Sequence, residues 1–182
     1  MIGIFIGSFN PVTLAHIEIC KLLSPHFKKI VFVPVNSPDK YLVSIKNRIN
    51  MLTILTRKYN FLEISDIMKN YSYLNFRIID LLKNKYGNIS LIMGDDLLDK
   101  LDSFDNYEYL LSKYNFYIIT RDNNVNEIIN KKYHNYRNKF KIIKYHSNIS
   151  STMARELIKN NQNANNIIDS DILKYINENH LY

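Results

Sequence analysis

What most limits the fold of this chain is the way apolar runs of strand length alternate, from end to end, with stretches that repeat at helical spacing. Met1 to Ile6 is continuously apolar, as a central parallel strand covered on both faces requires. Gly7 follows, then a helical stretch from about Thr13 to Leu23. Lys29 to Val33 and Phe61 to Ile64 read as the next strands, and between them a helix over 44–58 places Ile45, Ile49, Leu52 and Leu55 on one face. The spacing of Leu74, Ile78, Leu81 and Leu82 predicts a helix over 73–85, ended by Gly87, and Ile89 to Met93 is an apolar strand closed by Gly94. Phe116 to Thr120, preceded by a short helix, and Lys139 to Ile143 complete the strands; two helices are expected over 150–160 and 169–179. The pattern is that of an α/β fold: an open parallel sheet of five or six strands with helices on both faces.

With 182 residues the chain is expected to form a single domain, 1–182, with a core of its own. Its formal charge of +7 points to an anionic partner: nucleotide phosphates, nucleic acid or an acidic surface. The one cysteine, Cys20, excludes an intramolecular disulfide and a thiolate zinc cluster, which suits a reducing compartment. No apolar run reaches membrane-spanning length, and residues 1–9 have no basic segment of the kind that opens a signal peptide. The expectation is a cytoplasmic protein with no membrane partner. Asn-rich stretches over 123–126 and 160–166 read as loops or helix ends, and no internal repeat is visible.

Two segments have the chemistry of phosphate sites. Gly7-Ser8-Phe9-Asn10-Pro11-Val12-Thr13-Leu14-Ala15-His16 runs from the first strand into the first helix, where unpaired backbone N–H groups and a positive dipole end suit an anion. Thr13 stands at the N-cap position and His16 on the first turn. Taken singly, each of these residues reads as a cap, a turn or a surface histidine. Near the far end, Ile149-Ser150-Ser151-Thr152-Met153-Ala154-Arg155 sets a run of hydroxyls at a helix start with Arg155 one turn in, so that hydroxyls, N–H groups and a guanidinium converge. By itself it too reads as a cap and a solvated Arg.

Together the two segments resemble the HxGH-type nucleotidylyltransferase superfamily, whose signatures are G-x-F-D-P-x-[H/T]-x-G-H and ISSTxxR. Asn10 stands in place of the usual Asp and Ala15 in place of the usual Gly, where its methyl is expected to crowd a nucleotide. Within that superfamily the chain is most similar, nearly end to end, to the nicotinate-nucleotide adenylyltransferases. The resemblance rests further on 34–40, where Asp39 replaces a His before Lys40, on Ser44 and Arg48 in the next helix, and on Ser72-Tyr73-Leu74-Asn75. It also rests on Gly94-Asp95-Asp96, on Phe104 at a usual Trp position, and on the ending over 175–182.

The resemblance implies a Rossmann-like fold and adenylyl transfer from ATP to nicotinate mononucleotide, with Mg²⁺ arriving on ATP and no resident metal. It implies His16 and Arg155 as catalytic residues, and Gly7, Ser8, Phe9, Thr13, His16, Lys40, Ile149, Ser150, Thr152 and Arg155 as the ATP side. The acceptor side would comprise Ser8, Phe9, Lys40, Arg48, Tyr73, Leu74, Asn75, Gly94, Asp96, Phe104 and Arg121. Nicotinamide mononucleotide and pantetheine phosphate are the rival acceptors, and oligomeric state stays open. A reading of another class rests on the basic, tyrosine-rich stretch over 131–145 as a nucleic-acid surface. Because basic residues are scattered along the whole chain, a solvated loop and edge strand is the favoured reading there.

Overall fold

A computed structural model describes residues 1–36, 42–121 and 124–182. The strands β1 (Ile2–Gly7), β2 (Lys29–Pro34), β3 (Leu62–Ile64), β4 (Ile89–Gly94), β5 (Phe116–Thr120) and β6 (Phe140–Lys144) pair in parallel, in the order β3-β2-β1-β4-β5-β6. Around this sheet lie α1 (Leu14–Leu23), α2 (Ile45–Thr56), α3 (Phe76–Tyr86), α4 (Asp95–Asp99), α5 (Tyr107–Lys113), α6 (Val125–Lys132), α7 (Ser151–Lys159) and α8 (Ser170–Glu178). The α/β, Rossmann-like architecture expected from the alternation is therefore the observed one.

Strand side chains alternate between the two faces, and each face has its own core. Phe5, Phe32 and Ile92 pack with Cys20, Leu52 and Ile172 on one side. On the other, Ile4, Val31 and Leu91 pack with Ile78, Leu98 and Ile129. Double coverage explains the unbroken apolar run of β1, because no alternate position meets water. Fully burying each such side chain contributes about 1.5–3 kcal/mol. Gly3, inside β1, leaves room for a side chain of the adjacent strand: a Cβ there would lie 2.6 Å from Cδ1 of Ile92 on β4.

Several boundaries shift for local reasons. The helix expected from Tyr73 begins at Phe76, because the Asn75 side chain accepts from the Ile78 N–H at 3.2 Å and fixes the N-cap there. Tyr73 and Leu74 thus lie in the preceding loop. Gly87 closes α3 at a φ of 78°, which side chains rarely tolerate. Val125 and Asn126, in a stretch read as a loop or helix end, are the first residues of α6, and α4 follows β4 with no intervening loop.

The strand order places the site. The chain winds outward from β1 through β2 to β3, then returns to start β4 on the other side of β1. A crevice opens where the winding reverses, beyond the carboxyl ends of β1 and β4. Those ends are Gly7 and Gly94.

Candidate active site

Beyond Gly7 the backbone turns sharply. Phe9 adopts a φ of 48°, and its buried ring packs edge-on against Phe5 and Phe32, with centroids 5.3 and 5.0 Å apart. The chain then reaches Thr13, the N-cap of α1. The Thr13 backbone N–H donates to Nδ1 of His16 at 3.1 Å, and the Thr13 hydroxyl lies 2.9 Å from the same nitrogen. A backbone N–H can only donate, so Nδ1 holds a lone pair and the ring proton sits on Nε2. Burial, and after it the Arg121 guanidinium, lower the His16 pKa from 6.5 to about 4. At neutral pH His16 is an uncharged ring in the cleft wall with its one N–H on Nε2.

The second segment docks directly on the first. At α7 the Ser150 hydroxyl accepts from the Met153 N–H as the N-cap. Ser151 Oγ donates to the Pro11 carbonyl at 2.8 Å, and Arg155 donates through Nη1 to the Asn10 carbonyl at 2.8 Å and through Nη2 to Thr152 Oγ1 at 3.1 Å. Arg121, just beyond β5, donates to the Ile149 carbonyl at 2.7 Å. Two helix starts far apart in sequence are held at one crevice, with two guanidinium groups between them.

The resulting cleft of about 780 Å³ is lined by Gly7, Ser8, Phe9, His16, Tyr73, Leu74, Gly94, Asp96, Phe104, Arg121, Thr152 and Arg155, which the sequence had singled out. Other expected residues stand behind that wall. Thr13 is buried beneath His16, and Ser150 and Ile149 serve as cap and carbonyl acceptor. Asn75 caps α3. Arg48 is fully buried: Nε donates to the Val43 carbonyl, Nη1 to the Ser8 and Val35 carbonyls, and Nη2 to Asn36. Its place is that of a strut ordering the loops after β1 and β2. Ala15, expected to crowd a nucleotide, is 4% exposed and packs away from the cleft wall. Lys40 lies outside the described residues.

The sequence reading also missed residues that the cleft wall includes. Asp95 accepts from Thr120 Oγ1 at 2.7 Å, tying the ends of β4 and β5 together, and Lys100, Ser103 and Tyr145 line the cleft. Thr120 and Asp95 had a usable signal, since each lies at or next to the carboxyl end of a strand beside the reversal point. Asn10 is 2% exposed, and its Oδ1 accepts from the Val43 N–H at 3.1 Å and from the Tyr182 hydroxyl at 2.8 Å. An amide keeps the acceptor oxygen that this position requires.

Residues 4–157 match a family model described as cytidylyltransferase-like. A probable nicotinate-nucleotide adenylyltransferase of Flavobacterium psychrophilum is 31% identical, covering 100% of this chain and 98% of the relative. One of Borrelia hermsii is also 31% identical, covering 100% and 97%. The chain belongs to the nicotinate-nucleotide adenylyltransferase family, within the cytidylyltransferase-like proteins. A nicotinic acid mononucleotide adenylyltransferase of Plasmodium falciparum, solved with NaAD, has the same fold, with a TM-score of 0.76 at 24% identity over 100% of this chain and 96% of that one. The nicotinate-nucleotide adenylyltransferase assignment disfavours the nucleic-acid reading, and the 131–145 stretch agrees. Lys132 is paired with Asp99 and Asp102, Lys139 donates to the Ser112 carbonyl, and Lys141 lies over the Tyr117 ring.

Proposed function

We propose that the cleft transfers the adenylyl group of ATP to nicotinate mononucleotide, releasing pyrophosphate and forming the deamido dinucleotide of NAD biosynthesis. The 2.8 Å bond from Arg155 to the Asn10 carbonyl carries this reading, because it sets both phosphate-suited helix starts at one crevice.

In the reaction an oxygen of the acceptor's phosphate attacks the α-phosphorus of ATP. The bond from that phosphorus to the bridging oxygen breaks, and the negative charge leaves on pyrophosphate. The nucleophile is already anionic at neutral pH, so the protein need supply no base. Its work is alignment and charge stabilisation. His16 donates its Nε2 proton as a hydrogen bond to a phosphoryl oxygen; its low pKa means that it donates without having been charged beforehand. Arg155 adds a fixed positive charge, already oriented by Asn10 and Thr152. Of the residues that line the cleft, this reading gives Gly7, Ser8, Phe9 and Thr152 to ATP, and Ser8, Phe9, Tyr73, Leu74, Gly94, Asp96, Phe104 and Arg121 to the acceptor. Mg²⁺ would arrive with ATP and supply neutralising charge on the phosphates that Arg155 and His16 also face.

The chain works as one nucleotidylyltransferase domain in the cytoplasm. In support, no helix among the described residues is long and apolar enough to cross a membrane. The deciding experiment offers purified protein Mg²⁺, ATP and, in parallel, nicotinate mononucleotide, nicotinamide mononucleotide and pantetheine phosphate. Dinucleotide formed fastest from the first is the expected result. Dephospho-coenzyme A as the sole product would overturn the acceptor assignment.

A further inference from the structure

Two guanidinium groups at the crevice are held without carboxylates. Arg48, fully buried, donates to the Val43, Ser8 and Val35 carbonyls and to the Asn36 amide oxygen. Arg155 donates to the Asn10 carbonyl and the Thr152 hydroxyl. All of these acceptors are neutral, and among the described residues every ion pair is formed by a lysine. Asp95 and Asp96, carboxylates of the cleft wall, follow β4 and pair with neither group. Burial lowers the Arg48 pKa from its usual value, as expected of a cation with no counter-ion beside it.

Asn10 joins the two. Its Oδ1 accepts from the Val43 N–H at 3.1 Å, and the Val43 carbonyl accepts from Arg48 Nε at 3.1 Å. Its own carbonyl accepts from Arg155 Nη1 at 2.8 Å. The Tyr182 phenol, which donates to the same Oδ1, lies in the field of both guanidinium groups, yet burial keeps it protonated and uncharged. Because Asn10 is 2% exposed, a charge on its side chain would act on both cations with little screening by water. Asp has the same shape and would accept the same two bonds. Charge, not hydrogen bonding, is what separates the amide from a carboxylate here.

We propose that Asn10 is a positioning residue whose neutrality leaves the charge of Arg48 and Arg155 for the polyphosphate of the nucleotide donor to neutralise. This rests on the adenylyl-transfer reading above and names what sets its hold on the donor. A buried cation without a counter-ion destabilises the fold, and an anion bound in the cleft offsets that cost. Stability of the unliganded protein and affinity for polyphosphate therefore oppose each other at this position. A carboxylate there would stabilise the unliganded protein and compete with the phosphates.

The test compares wild type, Asn10→Asp and Asn10→Ala. It measures Tm without ligand, pyrophosphate affinity by calorimetry with Mg²⁺ present, and KM for ATP at saturating nicotinate mononucleotide. In Asn10→Asp, Tm is expected to hold or rise while pyrophosphate binding weakens and KM for ATP increases, each about tenfold, the effect of one added unit charge at an intermediate dielectric. Asn10→Ala stays neutral but loses the acceptor, so Tm should fall and pyrophosphate binding should weaken less than in Asn10→Asp. A merely structural role would lower Tm and affinity together in both variants. Pyrophosphate binding unchanged in Asn10→Asp, a Tm below wild type in that variant, or an equal loss of affinity in the two variants overturns the proposal. Pyrophosphate binding is read without turnover, so wild type that makes no dinucleotide overturns the adenylyl-transfer reading separately.

Discussion

Tyr182 donates its phenol proton to Oδ1 of Asn10 at 2.8 Å, across 172 positions of sequence. Burial pushes the phenol's pKa up, which keeps it a donor. The carbonyl of the same Asn10 orients Arg155. Tyr182→Phe removes the donor and little volume, so kcat/KM for ATP should drop by about fivefold, the worth of roughly one hydrogen bond, with a small fall in Tm. Steady-state kinetics beside a melting curve check this; a large loss of Tm with unchanged kcat/KM would assign Tyr182 to packing alone.

His16 should remain a neutral ring, protonated on Nε2, well below pH 6. Ring-nitrogen NMR shifts followed against pH test this: a midpoint near 4 is expected, and one near 6.5 or a proton on Nδ1 would contradict the geometry. The unfolded chain takes up its proton near 6.5, above the folded value. Stability from this group is therefore whole above pH 6.5 and declines as pH falls toward 4, by about 3 kcal/mol in total. His16→Ala should lower kcat by about 10²–10³-fold with little change in KM.

Asp80 joins α3 to α5. It accepts from Lys113 Nζ at 2.9 Å, Tyr109 Oη at 2.7 Å and Tyr114 Oη. Burial would raise its pKa, but these three donors outweigh it and the net shift is downward. A depressed folded pKa adds stability above the ordinary Asp value, lost as pH falls through the folded one. Asp80→Ala should cost about 1–3 kcal/mol in urea unfolding at pH 7, and less at pH 3, below the ordinary Asp value. An equal cost at both pH values would show that charge is not involved.

Arg48→Met should destabilise the fold on the order of 3 kcal/mol, because three carbonyls and the Asn36 amide oxygen lose their donor together. Arg48→Lys should recover only part, since an ammonium cannot reproduce the planar fork. Full recovery in thermal melts would mean that charge alone suffices there.

Much of this was legible in the sequence, for physical reasons. The unbroken apolar run of β1 specifies a strand buried on both faces, and Gly7 and Gly94 mark the strand ends at the reversal, where a Cβ would meet the Phe9 ring and the Asp96 carboxylate. His16 and Arg155 were legible because each stands on the first turns of a helix with a hydroxyl cap before it. Arg48 illustrates what was not: sequence gives a charged residue on a helix, and only the fold shows four acceptors converging on it. The start of α3 was misplaced because Leu74 fits the helical stripe, while the Asn75 cap, a local hydrogen bond, overrides that periodicity. Lys100 gave no signal, since its position follows from where α4 ends.

The reversal between β1 and β4 also governs when activity can arise. Ile2 pairs with Ile89, so the central seam of the sheet joins segments separated by two whole strand–helix units. Closing so long a loop costs entropy before any contact compensates, so pairings of this kind form late and slowly. The crevice does not exist until that seam closes. In refolding experiments enzymatic turnover should therefore lag behind helix recovery, and the lag would time the joining of the two halves of the sheet.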